Sequence, residues 1–333
     1  MATIHDVARH AGVSAATVSR VLNGRETVDP ALAVRVQSAV SALGYRRNSV
    51  ARNLRRRQTT LWAVLISDIE NPFFTSLVRG VEDVGRSEGY SVVLCNTDED
   101  TTKESEYIAA CLADKMAGVI ISPTSDTSDV SPLVEAGTAV VAIDRELSQV
   151  TLDTVLVDNE GGAEQATRHL AERGYRRIAC ITGPRRTSTA IRRLRGYQRA
   201  IKATGLTADK SLIRHADFRE AGGYAAMAAL LDEDVRPDAV FAANNLMTVG
   251  ALECLVDRGL TVPDDVGVVG FDDIPWARLA RPSLTTVGQP TYEMGKSAAQ
   301  LLSGRIATPG RPATRVTLQT ELHIRESTNR PPA

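Results

Sequence analysis

Residues Thr3–Asn23 read TIHDVARHAGVSAATVSRVLN, and their spacing predicts two short helices joined by a sharp turn. Thr3 stands where it can cap a first helix, with Asp6 three residues later in the reciprocal position of a capping box. Val7, Ala8 and Ala11 recur at helical spacing and give that helix one apolar face. Gly12 permits the turn, Val13 points back to a core, and Ser14 caps a second helix from about Ala15 to Leu22. Val18, Val21 and Leu22 face inward, leaving Ala15, Ala16, Thr17, Ser19, Arg20 and Asn23 largely outward. A small, polar face carrying one arginine suits a helix that enters the major groove of double-stranded DNA. The bland alternative, an ordinary helical hairpin, explains the caps but not that face.

Downstream, Asp29 and Pro30 open a third helix, with Leu32, Val36, Val40 and Leu43 on one side and Gly44 at its end. Residues 1–45 therefore form an all-α head. The segment 46–60 contains RRNSVARNLRRRQT, whose six arginines surround only Val50, Ala51 and Leu54 as apolar anchors. Asn48 can cap a short helix there, but so short a helix is marginal alone, and the segment reads as a linker ordered by phosphate backbone. Charge agrees: the first sixty residues hold ten arginines against Asp6, Glu26 and Asp29, a balance of +7, and the remainder carries −8 to give a net charge of −1. A basic module joined to an acidic one points to a polyanionic partner at the basic end.

From Leu61 the character changes. LWAVLI, SVVLCN, AGVIIS, TAVVAI and TVLVD read as buried strands, with helices near 74–88, 103–115 and 127–136 between them. After Asp158 the alternation restarts: helix 160–173, strand RRIACIT, helix 190–204, strand SLIRH, helix 221–232, strand AVFAA, helix 245–258 and strand VGVVGF. This predicts two doubly wound parallel-sheet α/β lobes. The first covers about 61–158 and 288–315, the second about 159–287 and 316–322, with a tail at 323–333. Neither lobe carries a dinucleotide or triphosphate motif, so no cofactor is expected. Cys95, Cys111, Cys180 and Cys254 have no metal-ligand spacing and read as buried thiols. No apolar run is long enough to span a membrane and Met1 leads straight into the first helix, which predicts a cytoplasmic protein.

Taken together, TIHDVARHAGVSAATVSRVLN, NSVARNL and VGFDDIP…PSLTTVGQP give the chain a resemblance, over nearly its whole length, to the lactose-repressor/galactose-repressor family of bacterial transcription regulators. The resemblance implies a helix-turn-helix head, a hinge helix and a core of periplasmic-binding-protein type. It also implies a homodimer or a tetramer on a pseudo-palindromic operator. By it, Ser14, Thr17 and Asn23 match phosphate-contacting positions, Arg20 a base-reading arginine, and Leu54 a leucine that wedges into the minor groove, with Asn48, Ala51 and Arg56 around it. Ala15 and Ala16 depart from the larger side chains of many relatives, which limits direct reading there to thymine methyl groups. The short tail lacks a heptad run, which favours the dimer.

Ligands of such sheets sit at the carboxyl ends of the strands, so the natural site is a cleft between the lobes. Loops there offer Asn71, Phe73 and Phe74 (ENPFF), Asp144 and Arg145 (IDR), Arg193, Phe218 (ADF), Asn244 (AANN), Asp272 (FDD) and Gln289 (GQP). Aromatic rings among carboxylates, amides and arginines suit a sugar, since rings cover C–H faces while charged groups clamp hydroxyls. The set resembles that of the periplasmic ribose-binding proteins. It departs at Ser122, where that family has asparagine, and at Asn245, where such repressors usually have aspartate. A ribose-like effector is expected, with a purine or hexose as the alternative. Two other classes compete. Asp144, Asp272 and Asp273 could be drawn as the acid and base of a glycosidase. However, arginine and amide neighbours are expected to keep Asp144 and Asp272 ionised, and no nucleophile–base pair accompanies them, so no catalytic residue is expected. A sugar-transport binding protein explains the core but not the head.

Overall fold

The computed structural model describes residues 2–22, 28–45 and 59–330. The chain divides into two units, Met1–Gln58 and Thr59–Ala333. Asn23, Asn48, Ala51, Leu54 and Arg56 lie outside the described residues, as does the expected hinge helix.

The head consists, among the described residues, of α1 (Ile4–Ala11), α2 (Ala15–Leu22) and α3 (Pro30–Ala42). The capping box is present: the Asp6 N–H donates to Thr3 Oγ1 at 3.3 Å and the Thr3 N–H to Asp6 Oδ2 at 2.9 Å. Gly12 sits at φ 61°, a conformation open to glycine, and the Thr17 N–H donates to Ser14 Oγ at 3.1 Å to cap α2. Asp29 caps α3 through the Ala31 N–H. Val7, Ala8, Ala11, Val18, Val36 and Ala39 fill the core, with Val13, Val21 and Leu22 packed against it. Arg35, one of the ten arginines counted above, is exposed but donates to the Ala11 carbonyl at 2.6 Å and so ties α3 to the turn.

The larger unit holds two six-stranded sheets. The first contains β1 (Leu61–Ile66), β2 (Ser91–Asn96), β3 (Gly118–Ile121), β4 (Ala139–Ile143), β5 (Asp153–Val157) and β11 (Arg315–Leu318), in the order β11-β5-β4-β3-β1-β2. The second contains β6 (Ile178–Thr182), β7 (Ile213–His215), β8 (Ala239–Ala242), β9 (Gly267–Phe271), β10 (Thr285–Gly288) and β12 (Glu321–His323), in the order β12-β10-β9-β8-β6-β7. All pairings are parallel except β10 with β12. Helices α4 (Pro72–Ser87), α5 (Thr101–Ala113), α6 (Ser131–Glu135) and α11 (Thr291–Ala307) cover the first sheet. Helices α7 (Asn159–Glu172), α8 (Ser188–Ala203), α9 (Glu220–Leu231) and α10 (Asn245–Asp257) cover the second. The central strands are buried end to end, as parallel strands covered on both faces must be.

Three expectations need correction. The segment 316–322 does not belong wholly to the second lobe, because Arg315–Leu318 pairs with β5 and only Glu321–His323 joins β10. The stretch from 323 is not a free tail: Ser327 and Thr328 are buried, Ser327 Oγ donates to the Val268 carbonyl at 2.7 Å, and Arg325 pairs with Asp273. Strand β7 and helix α6 are also shorter than SLIRH and 127–136 suggested. The chain therefore passes between lobes three times, near 158, 289 and 319–320, with Asp158 N–H bonded to the Leu318 carbonyl at one crossing.

Candidate functional site

The carboxyl ends of both sheets meet at a cleft whose interior volume is about 40 Å³. Of the eleven cleft residues read from the sequence, ten line it: Asn71, Phe73, Phe74, Asp144, Arg145, Arg193, Phe218, Asn244, Asp272 and Gln289. Ser122 does not. It is fully buried below the wall, 3.5 Å from Ser67 Oγ, because its side chain is too short to reach the cleft from the end of β3. Asp68, Glu99, Thr189, Asp217 and Arg219 line the cleft as well and were not singled out by the sequence reading. Asp217 and Asp68 follow strands β7 and β1, so the strand-end rule alone would have found them.

Four of these residues sit in the left-handed region: Glu99 at φ 59°, Asp144 at φ 65°, Phe218 at φ 66° and Asp272 at φ 78°. A non-glycine residue held there costs on the order of 1–3 kcal/mol and aims its side chain where ordinary backbone would not. Asp144 and Asp272 are placed alike at the ends of β4 and β9, each N–H donating to the neighbouring strand, at Val155 and Val287. The two residues are 5% and 6% exposed. Burial pushes the Asp144 carboxyl above the usual carboxylate range, and the Arg145 and Arg193 charges offset only part of it. Burial likewise raises Asp272 against Arg193, Gln289 and the Asn245 N–H. Burial therefore opposes the ionised forms that the arginine and amide neighbours favour at both carboxyls.

The arginines are held firmly. Arg145 donates through Nη1 to Glu99 Oε2 at 2.7 Å and to the Pro123 carbonyl at 3.1 Å, and through Nη2 to Glu99 Oε1. Arg193 donates through Nε to Asn159 Oδ1 at 2.7 Å and through Nη1 to the Ala243 carbonyl at 2.6 Å, and its guanidinium lies 3.8 Å over the Phe271 ring. Two of the expected ligand contacts turn out to be caps. Asn71 Oδ1 accepts the Phe73 N–H at 3.0 Å and, from the other lobe, Asn245 Nδ2 at 2.8 Å. Asn244 Oδ1 accepts the Met247 N–H while its Nδ2 donates to the Phe218 carbonyl, so it fixes the backbone beneath that ring. Asp272 accepts Gln289 Nε2 and the Asn245 N–H. Among the described residues, two buried polar atoms of the cleft have no hydrogen-bond partner: Gln289 Oε1, an acceptor beside the second lobe, and Arg145 Nε, which lies 3.6 Å from Asp144 Oδ2 as an ion pair. Asp273, by contrast, is spent on Thr286 and Arg325.

In the head, Ala16 and Arg20 are exposed and Ser14 is exposed beside a half-buried Thr17, whose hydroxyl lies 2.9 Å from Ser14 Oγ. Ser19 and Ala15 are half-buried, Ala15 against the head's core.

Residues 3–48 match the family described as bacterial regulatory proteins, lacI family, and residues 167–328 match a periplasmic binding protein-like domain. The ribose operon repressor of Escherichia coli (strain K12) is 37% identical over 311 residues, covering 93% of this chain and 94% of the repressor. A solved transcriptional regulator, CelR in complex with cellobiose, is 36% identical with a TM-score of 0.76, over 98% of this chain and 100% of that one. The Lac repressor dimer bound to operator and the anti-inducer ONPF superposes with a TM-score of 0.88 at 26% identity, over 98% and 99%. Capped head, paired sheets and full-length similarity lead to one conclusion: the chain belongs to the lacI family of bacterial regulatory proteins.

Proposed function

We propose that this protein is a cytoplasmic, non-catalytic transcriptional repressor whose hold on a pseudo-palindromic DNA operator is set by a ribose-like effector in the cleft. The observation that carries the effector reading is the lining of the cleft, in which two buried carboxylates, Arg145 and Gln289, whose Oε1 has no hydrogen-bond partner, stand together with the rings of Phe74 and Phe218. A polyhydroxyl ring answers all of these: hydroxyls donate to Asp144, Asp272 and Gln289 and accept from Arg145, while rings cover its C–H faces. Calorimetry of the full chain with ribose, ribonucleosides and cellobiose tests this. Tight binding of cellobiose or a purine base, with no response to any ribose compound, would sink the pentose assignment and leave the repressor reading standing.

Two of the groups involved titrate, so binding should depend on pH. Hydroxyls donate to the ionised carboxylates, and protons compete with them. Because burial raises both carboxyls, affinity should fall on acidification beginning above the ordinary aspartate range, near pH 4. An affinity loss that sets in no earlier than for an ordinary exposed aspartate would contradict the clamp.

The head is proposed to read DNA through α2. Arg20→Ala should relax preference at one base pair per half-site and cost roughly 1–3 kcal/mol of discrimination. A binding-site selection that returned the parent consensus at unchanged affinity would show that α2 is not the reading helix. Leu54, by resemblance, is proposed as the minor-groove wedge, with Arg56 on phosphate. A homodimer would present two heads to two half-sites, and exposed Val256 and Leu279 on the second lobe offer apolar surface for it.

A further inference from the structure

Six arginines lie between 185 and 199, two in the PRR that precedes helix α8 and four on the helix itself. Three of them have clear duties. Arg193 is locked under the cleft, Arg192 pairs with Glu146 across the lobes, and Arg199 pairs with Glu160 and Glu164 on α7. Arg185, Arg186 and Arg195 make no hydrogen bond or ion pair among the described residues, although arginine seldom lines a cavity without one.

Arg185 and Arg195 line the same cavity. It lies on the side of α8 away from Thr189 and Arg193, at the carboxyl ends of β6 and β7, and its volume is about 230 Å³. Ile191, Leu194, Arg195 and Gln198 recur along α8 at helical spacing, so one stripe supplies an apolar wall, a cation and an amide. His215 closes the far side, its Nδ1 bonded to the Gly183 carbonyl at 3.0 Å and so oriented. Among the described residues, no acidic one lines the cavity. Two free guanidinium forks without a carboxylate call for an anion, and a wall of Ile191 and Leu194 calls for an apolar body attached to it.

We propose that this cavity is a second ligand site, which takes a small organic phosphate with the phosphate between Arg185 and Arg195 and the organic part against Ile191 and Leu194. The site is separate from the sugar cleft and does not rest on the effector reading. The two sites share one helix, with Arg193 on one face of α8 and Arg195 on the other.

Calorimetry of the full chain with phenyl phosphate, inorganic phosphate and benzoate decides it. Phenyl phosphate should bind saturably and more tightly than either of the others, since each lacks one half of the match. The double variant Arg185→Gln/Arg195→Gln should lose at least tenfold in affinity, roughly 1.4 kcal/mol. Both side chains are exposed, so its melting curve should match the parent's. Asp272→Ala should leave phenyl phosphate binding unchanged. The proposal is overturned by absence of saturable binding, by equal affinity in the double variant, by benzoate binding as tightly as phenyl phosphate, or by loss of binding with Asp272→Ala. That last result would place the phosphate in the sugar cleft.

Discussion

Asp272→Ala should lower effector affinity by a hundredfold or more while leaving the fold and operator binding without effector intact. An ionised carboxylate that accepts two hydroxyls contributes about 1.5–3 kcal/mol per charge-assisted bond, and each 1.4 kcal/mol is tenfold. Asp272 also holds Gln289 by its amide, so the variant releases the neighbouring acceptor as well. The fold should survive because burial of this carboxyl is itself unfavourable. Calorimetry reads the first part of this expectation, and an operator gel shift without effector reads the second. In cells the same variant reports the sign of coupling. An inducible repressor would stay on its operator whatever the sugar supply, whereas an effector-requiring one would be permanently released. Parent-like affinity in a folded Asp272→Ala protein would remove this carboxylate from the site.

Gly295→Ala should destabilise the core by on the order of 3 kcal/mol, lowering Tm by roughly 6–12 °C in a unit of this size. Helices α4 and α11 touch backbone to backbone. A Cβ on Gly295 would collide with the Leu77 carbonyl, and one on Gly80 with the Tyr292 carbonyl. Alanine improves helix propensity by only about 1 kcal/mol. Admitting it means parting two long helices whose facing side chains include the fully buried Leu77, Val81, Met294 and Ala298. Gly310→Ala is the contrast, since nothing lies within 4 Å of its added Cβ and its backbone is ordinary. A thermal melt in which the two variants behaved alike would refute the packing argument.

Much of this was legible in advance, for identifiable reasons. Caps and turns are local, so Thr3, Asp6, Gly12, Ser14 and Asp29 announced the head, and each does what its spacing implied. Uninterrupted apolar runs announced the parallel strands for the same reason. What escaped was set by distant partners. Strand β11 was assigned to the wrong lobe, because a pairing partner far off in the chain rather than local pattern decides which sheet it joins. Arg35 looked like one more surface charge, and nothing in its neighbourhood says that it reaches a carbonyl more than twenty residues away. Residue type found Asn71 and Asn244 in the cleft, but not that their amides are largely spent as helix caps. Ser122 failed because strand position gives direction but not reach.

The three crossings between lobes also set an order of events during synthesis. The first sheet receives β11, and the cover of α11, only from residues 291–318, yet its other strands are complete by Val157. Residues 158–290 must be made in between, which at roughly 5–20 residues per second takes on the order of ten seconds. Throughout that interval the surface destined for Met294, Ala298, Ala299 and Leu302 lies open on the nascent chain, beside Val64, Ile120 and Val141. A ribosome stalled within the second lobe would display that surface, and such intermediates should recruit holding chaperones until the seventeen residues of α11 emerge.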